Sequence, residues 1–510
     1  MSYIVSIDEM KQAEIMAVQR GGSFLQLMER AGQGAAEALS MALSLPGLSC
    51  VILAGSGNNG GDGFVLARRL RELGAEVTVV LAQGFPGAGD ARVNFGRLQD
   101  TGVRLLTLDD GEAQERIRAA ALLVDAIFGT GFHGALPEEL LPLCSWYRGN
   151  RGALHVALDI PSGVNAQSGV VENVCFPADL TLTFAAYKPG QFLFPGGAFC
   201  GRVEVVDIGI SESMLSLTGC ALRMITPHFV NRSLPPRPRN SHKGSFGHVL
   251  VVAGSLPYTG AAVLACTSAL RSGVGLVTLA SVPHVTNTVN FRLPEAITLP
   301  LPQNEQGGIA AEEALPLLKE RLASCSALVL GPGLGNTPET LALVEGLLEA
   351  ARCPVVLDAD ALNVLGPHLI LLEQARVPVI LTPHPGEMAR LCGKVTAEVE
   401  RDRLGTARDF ARIHKVILVL KGTYTVIAGP DGQMLLNQAG SSGLAKGGSG
   451  DLLAGLIGGL AAGKIPAFAA AACGVYLHAK AAELCAEEHS EYAMTATDVA
   501  AFLGSAFLSL

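Results

Sequence analysis

Leu436-Asn437-Gln438-Ala439-Gly440-Ser441-Ser442-Gly443-Leu444-Ala445-Lys446-Gly447-Gly448-Ser449-Gly450-Asp451 precedes an apolar run from Leu452 to Gly463. The run reads as a helix of Leu, Ile, Ala and Gly. A glycine-rich loop that feeds a helix N-terminus offers free backbone N–H groups and the positive end of a dipole. That arrangement suits phosphate oxygens. Asp451 falls in the first turn, where a carboxylate would repel a phosphate unless it had another task. Taking a proton from a hydroxyl that attacks phosphorus is such a task. The plainer reading is a helix cap, since Asp is favoured at N-caps.

Outward from this stretch, the chain is too long for one ordinary core: 510 residues imply at least two domains. Hydrophobic residues make up 49% and charged residues 16%, so core-forming material is ample and disorder is not expected. A net charge of −9 argues against a nucleic-acid surface. Eleven cysteines without a C-x-x-C pair argue against zinc or a disulfide framework and for a reducing cytoplasm. Lys464 and Pro466 break the apolar run after Asp451, so no membrane span is expected.

From the start, apolar residues recur at helical spacing over 7–44, with a break at Gly21-Gly22. Val51–Ala54 then reads as a buried strand, followed by Gly55-Ser56-Gly57-Asn58-Asn59-Gly60-Gly61-Asp62-Gly63, a helix from Phe64 to Leu73 and a strand over 76–82. Gly55, Gly57 and Gly60 fit the dinucleotide fingerprint formally. The second strand, however, ends Leu81-Ala82-Gln83, without the acid that would hold a ribose. The polar Asn58, Asn59 and Asp62 point instead to a site built from loop oxygens, against the simpler reading of a well-capped turn. Two further strands, 121–127 and 155–160, deliver Asp125 and Asp159, the latter just before Ser162. Ligands of an open α/β sheet sit beyond the carboxyl ends of its strands. Asn59, Asp125, Asp159 and Ser162 would therefore meet there as hard oxygens suited to a group-one or group-two cation, although a lone Asp at a strand end is commonly a cap. Ser162 lacks the G-x-S-x-G elbow, so a Ser162–His155–Asp159 hydrolase triad is not expected.

The second half repeats strand–helix alternation. Strands at 248–253, 327–330, 355–357, 379–381, 417–420 and 425–428 each lead into small or polar loops: Gly331–Gly335, Asp358–Asn363, His384–Glu387 and Lys421–Thr423. No G-x-x-x-x-G-K-[ST] motif occurs, so nucleotide chemistry here would not be P-loop chemistry. Individually, His384 reads as a satisfied loop residue, Asp358 and Asp360 as caps, and Lys421 as a solvated lysine. The proline-rich, basic stretch 231–244 reads as extended linker.

As a set, these motifs carry two resemblances. Asn58–Gly63, Asp125 with Gly129-Thr130-Gly131, Asp159-Ile160-Pro161-Ser162-Gly163 and Ala186-Tyr187-Lys188-Pro189-Gly190 resemble the NAD(P)HX epimerase domain, a Rossmann-like three-layer α/β fold. Ser241–Gly244, Gly331–Gly335, Asp358–Asn363, His384–Glu387, Lys421–Thr423 and Gly447–Asp451 resemble the ADP/ATP-dependent NAD(P)HX dehydratases, which are ribokinase-like α/β proteins. The resemblance implies domains at 1–215 and 245–510 joined by a linker at 216–244. It implies a bifunctional enzyme that epimerises R- and S-NAD(P)HX and dehydrates the S form at the expense of ADP or ATP.

In the first domain the resemblance places Asn58, Asn59, Gly60, Gly61, Asp62, Gly129, Thr130, Gly131, Phe132, His133, Gly134, Ala135 and Asp159 on substrate. Asn59, Asp125 and Ser162 would ligate K+. Asp159 is the expected proton-moving residue, with Lys188 as the alternative. In the second domain it places Ala261, Gly335, His384 and Asp451 on substrate, and Lys421, Gly422, Thr423, Tyr424, Thr425 and Gly450 on the nucleotide. Asp451 would be the base and Mg2+ would bridge the donor phosphates. Expected partners are NADHX and NADPHX, in a homo-oligomer of the cytoplasm, without nucleic acid or membrane. The alternative is a ribokinase-like kinase of a vitamin-precursor alcohol with a non-catalytic N-terminal binding module.

Overall fold

The computed structural model describes residues 3–510. The chain forms two compact units that meet in sequence between Cys220 and Ala221.

The first unit opens with helices Ile7–Gln19 and Phe24–Ala42, capped by the Ser6 and Ser23 hydroxyls on either side of the Gly21-Gly22 break. Its sheet comprises β1 (Ser49–Ala54), β2 (Glu76–Leu81), β3 (Arg104–Thr107), β4 (Leu122–Ala126), β5 (Leu154–Leu158), β6 (Leu180–Phe184) and β7 (Arg202–Val206), in the order β3-β2-β1-β4-β5-β6-β7. Every pairing is parallel. The central strands are unbroken apolar runs because helices cover both faces. Strand order reverses at β1/β4, the crevice where open α/β sheets bind ligands.

The segment expected as a loop before Phe64 is helical: the helix runs Asn58–Glu72, with Gly57 as its N-cap. Its glycines serve close packing. A Cβ on Gly61 would lie 2.6 Å from Met28 Sδ, and one on Gly63 would lie 2.8 Å from Ala126 Cβ. Glycine density that signals a loop in isolation here lets a helix lie against the sheet.

The second unit holds β8 (Leu222–Met224), β9 (His248–Val252), β10 (Leu276–Ser281), β11 (Ile297–Pro300), β12 (Ala327–Leu330), β13 (Val355–Leu357), β14 (Val379–Leu381), β15 (Ile417–Leu420), β16 (Val426–Ala428) and β17 (Met434–Leu436). Their order is β11-β10-β9-β12-β13-β14-β15-β16-β17-β8. From β11 to β15 the sheet is parallel; β15-β16-β17 is an antiparallel meander, and β8 closes the edge parallel to β17. The reversal at β9/β12 is again a switch point.

The expected linker at 216–244 is corrected in part. Leu222–Met224 pairs with Met434–Leu436, Pro227–Ser233 is a helix capped by Thr226, and the proline-rich stretch that follows, up to the 3-10 turn at Lys243–Phe246, is irregular. Prolines dominate the composition of the stretch, but an open sheet edge recruits the short run before them.

No helix among the described residues is long and apolar enough to cross a membrane.

Candidate active sites

In the first unit a cleft of about 800 Å³ opens at the β1/β4 switch point, lined by residues from Asn58–Asp62, Gly129–His133, Asp159 and Lys188. Gly60, Gly61 and Gly134 lie in its supporting segments without lining it. At its base Lys188 is 1% exposed. Its ammonium donates to Asp159 Oδ1 at 2.5 Å, Thr183 Oγ1 at 2.9 Å and the Phe184 carbonyl at 2.9 Å. All three N–H donors are thereby spent, so Lys188 acts as a fixed positive charge. Asp159 is a non-glycine residue at φ 64°, a strained backbone held by Gln191 Nε2 on its carbonyl and by its own N–H on Leu182 O. Its Oδ2 accepts from the Thr130 amide at 3.3 Å.

Three further acids line the cleft: Glu14, Asp62 and Asp90. Burial, then the Asp159 and Glu14 charges, pushes Asp62 well above the carboxylate range, while burial and Asp159 raise Glu14. Glu14 escaped the sequence reading because an acid on an amphipathic helix carries no distinguishing signal.

Asp125, at the carboxyl end of β4, is fully buried. Its Oδ2 accepts from Ser162 N at 2.6 Å, and its Oδ1 accepts from Ser162 Oγ at 2.7 Å and Ile127 N at 3.1 Å. Desolvation lifts its carboxyl to about 6 against those hydrogen bonds. Ser162 Oγ also accepts from Phe128 N, so it holds Asp125 and the Phe128 turn together. Asn59 donates to the Phe128 carbonyl at 2.9 Å, while its buried Oδ1 has no hydrogen-bond partner among the described residues. An orphaned buried acceptor of this kind calls for a donor or a cation.

In the second unit a cleft of about 990 Å³ is bounded by Lys421–Thr425, the 437–451 segment and His384. The helix here runs Ser449–Ala462, from an N-cap at Gly448. At φ 92° Gly448 adopts a conformation that favours glycine, and no side chain caps the turn; Ser449 N donates weakly to Lys446 O at 3.5 Å, and the next amide, of Gly450, has no such partner among the described residues. The loop is moored from the far end of helix Ala467–Ala493: Glu491 accepts from the Ser441 and Ser442 hydroxyls, and Lys446 Nζ donates to Tyr492 O and Met494 O at 2.6 Å each.

Asp451 lies in the first turn. Burial, then the Asp358 charge, raises its carboxyl to about 7, partly countered by Lys421. Lys421 is paired elsewhere: its Nζ donates to Asp358 Oδ1 at 3.1 Å and sits 3.8 Å from Glu387. Burial pulls the Lys421 ammonium down, but Asp358 and Glu387 outweigh it, so the net shift is upward. Asp358 therefore does not cap the following helix; it is a buried counter-ion, also receiving Thr382 Oγ1 at 2.6 Å. Asp360 instead accepts from Gly335 N at 2.8 Å. A Cβ on Gly450 would lie 3.2 Å from Lys421 Nζ, so this glycine lets the helix turn approach the pair.

His384 caps helix Pro385–Cys392, its Nδ1 accepting from the Gly386 and Glu387 amides, while its ring still faces the cleft. Gly335 lines a smaller cavity of about 150 Å³ at the β9/β12 switch point, beside Ser255 and Tyr258. Ala261, on helix Thr259–Arg271, borders neither cavity and packs toward Gly333 instead.

Residues 249–503 match the family described as NAD(P)H-hydrate dehydratase, and residues 25–190 match the YjeF-related protein N-terminus. Over its full span the chain is 41% identical to the bifunctional NAD(P)H-hydrate repair enzyme Nnr of Moorella thermoacetica, covering 98% of this chain and 96% of that protein. The chain belongs to the bifunctional NAD(P)H-hydrate repair enzyme family. The homologue from Salinibacter ruber is 38% identical over 93% of this chain and 90% of its own length. The ADP/ATP-dependent NAD(P)H-hydrate dehydratase of Bacillus subtilis, co-crystallised with ATP and Mg2+, superposes with a TM-score of 0.50 at 34% identity. That match covers 56% of this chain and 98% of the relative. The Rossmann-like and ribokinase-like folds thus stand. The protein is a bifunctional nicotinamide-nucleotide repair enzyme, an epimerase and a hydro-lyase, and the reading as a vitamin-precursor kinase with a passive N-terminal module falls away.

Proposed function

We propose that the first unit interconverts the R and S hydrates of NADH and NADPH, and that the second returns the S hydrate to the reduced nucleotide by phosphorylation and elimination. One observation carries the second assignment. Asp451, alone among the acids around Lys421, combines a place at the open helix N-terminus with a carboxyl poised near neutrality. The substrate's ring hydroxyl gives its proton to Asp451 as its oxygen forms a bond to the donor's terminal phosphorus. The bond from that phosphorus to the departing nucleotide breaks. The amides of the Gly447–Gly450 turn hold the migrating phosphoryl oxygens. The ring nitrogen's lone pair then expels phosphate, and loss of the C5 proton restores the double bond.

Lys421, Gly422, Thr423, Tyr424, Thr425 and Gly450 would bind the ADP or ATP donor. His384 and Asp451 would face the hydrated nucleotide, with Gly335 and the neighbouring Ala261 helix marking its reach toward the switch point. The acids Asp358, Glu387 and Asp451 outnumber Lys421, so an anionic donor needs a cation beside it. No three such acids form a metal cage among the described residues, which suits magnesium carried largely by donor phosphates. Magnesium, when bound, neutralises the charge developing on those phosphates.

In the first unit, Thr130 and His133 line the substrate cleft, and Asp159, fixed by Lys188, is the proton-handling residue. Asn59 Oδ1, the buried Asp125 carboxylate and the Ser162 hydroxyl that holds it in place would ligate potassium. The chain would act as a homo-oligomer.

The decisive experiment supplies the purified protein with an R/S NADHX mixture and either ADP or ATP. Full recovery of NADH absorbance supports both activities. Recovery that stops at the S fraction refutes the epimerase assignment, and accumulation of a stable phosphorylated product refutes the elimination.

A further inference from the structure

Two buried polar atoms in the second cleft have no hydrogen-bond partner among the described residues: Asn437 Oδ1 and His478 Nε2. Both side chains line the cavity, and they are 2% and 6% exposed. Asn437 is oriented by its own bonds. Its Nδ2 donates to Ala439 O at 2.7 Å, and its backbone N–H donates to Thr425 O at 2.9 Å, so Oδ1 is left as a pure acceptor. His478, on helix Ala467–Ala493, is held neutral by burial and by the Lys421 charge, its imidazole pulled down to about 4.

Orphaned polar atoms at such burial are costly unless a ligand completes them. Phosphate oxygens cannot complete Asn437 Oδ1, because acceptor would face acceptor. The ligand part that enters here must bring a donor or a cation, and the apolar side chains around the cavity favour a neutral donor. Apolar Leu453, Val475 and Ala479 line the same cavity, a setting for a flat aromatic ring rather than a hydroxyl-rich sugar.

We propose that Asn437 and His478 read the nucleobase of the phosphoryl donor and select a 6-amino purine. This rests on the nucleotide-binding reading of the cleft. The exocyclic amine donates to Asn437 Oδ1, and the adjacent ring nitrogen accepts from His478 in its Nε2–H tautomer. A 6-oxo purine sets a carbonyl against the Asn437 carbonyl oxygen and leaves a buried acceptor unpaired, which a site built for hydrogen bonding rejects strongly.

The test titrates ADP, IDP and 2′-deoxy-ADP calorimetrically into the full-length protein, wild type and with Asn437→Leu or His478→Phe, after thermal melting confirms folding. Wild type should bind IDP roughly 10- to 100-fold more weakly than ADP, the worth of one mispaired buried polar contact. 2′-Deoxy-ADP should match ADP. In Asn437→Leu, ADP should weaken until it is near parity with IDP; in His478→Phe, ADP should weaken and the preference over IDP should narrow, with Asn437 retaining part of it. Equal binding of ADP and IDP by wild type overturns the proposal, and this comparison decides alone if neither variant folds. A penalty for 2′-deoxy-ADP larger than that for IDP overturns it in favour of sugar contacts, and discrimination unchanged in both variants overturns the residue assignment. Wild type that binds none of the three overturns the nucleotide reading itself, a result visible before any base comparison.

Discussion

Both clefts pair a buried lysine with carboxylates, and they use the pair in opposite ways. In the first unit Lys188 bonds directly to Asp159, the acid that faces the cleft. In the second unit Lys421 bonds to Asp358 and leans toward Glu387, while Asp451 has no ion pair among the described residues. Asp159 is thus held by a fixed cation and three further hydrogen-bonding groups. Asp451 is left desolvated beside like charges and rises to about 7. Which carboxylate receives the lysine decides which is pinned by hydrogen bonds and which is left unpaired, its carboxyl raised toward neutral pH.

The largest effect expected from breaking this contrast is at Asp451. Asp451→Asn keeps size and helix-start propensity, so nucleotide should still bind. The chemical step should fall on the order of 10²–10⁴-fold. Single-turnover NADH recovery beside calorimetry checks this, and near-wild-type turnover would make Asp451 a cap only.

Lys188→Met should be next, and its mark is different. Removing one partner of a buried pair leaves Asp159 uncompensated and should cost on the order of 3–5 kcal/mol of stability. Denaturant unfolding should show that loss together with lost epimerisation. A Lys421→Met protein should lose stability in the same way, because Asp358 is left uncompensated, but should keep its epimerase rate.

Asp125→Ala should abolish conversion of the R hydrate while the S hydrate is still consumed. R-hydrate conversion at the wild-type rate in this variant would remove Asp125 from the site.

A pH profile sharpens the contrast further. The base form of Asp451 is the deprotonated one, so dehydratase kcat/KM should be full above about pH 7 and fall as pH drops through it. Asp358→Asn removes a like charge from Asp451 and frees Lys421 to approach it. Both changes lower the Asp451 carboxyl, so the acidic limb should move to lower pH. A limb that stays in place would show that Asp358 does not tune Asp451.

The smallest effect should be Gly450→Ala. Its Cβ would press on the movable end of Lys421, 3.2 Å away, and raise the nucleotide KM by a factor of about 2 to 10, on the order of 1 kcal/mol.

Much of the architecture was legible before folding. Unbroken apolar runs such as Val51–Ala54 and Ala327–Leu330, each followed by glycine, specify buried parallel strands, because only a sheet covered on both faces tolerates them. Gly447–Asp451 marked its own helix start, since free amides and an αL glycine are local properties of the chain. Asn58–Gly63 misled for a complementary reason. Its glycines answer to Met28 and Ala126, which are distant in sequence, and no local pattern reveals a packing partner. The linker reading of 216–244 failed in the same way, because Leu222–Met224 becomes a strand only where Met434–Leu436 offers an edge.

Sequence alone therefore determined the two α/β units, their loops at the strand ends and the candidate acids, because backbone propensity and hydrophobic periodicity act over short spans. Only the tertiary structure decided that Lys421 belongs to Asp358 and Lys188 to Asp159, that Glu14 joins the first cleft, and that Asn437 and His478 end with unpartnered atoms in the second. Charge pairing and desolvation depend on which side chains arrive within a few ångströms in a low-dielectric interior, and that proximity is a property of the folded chain.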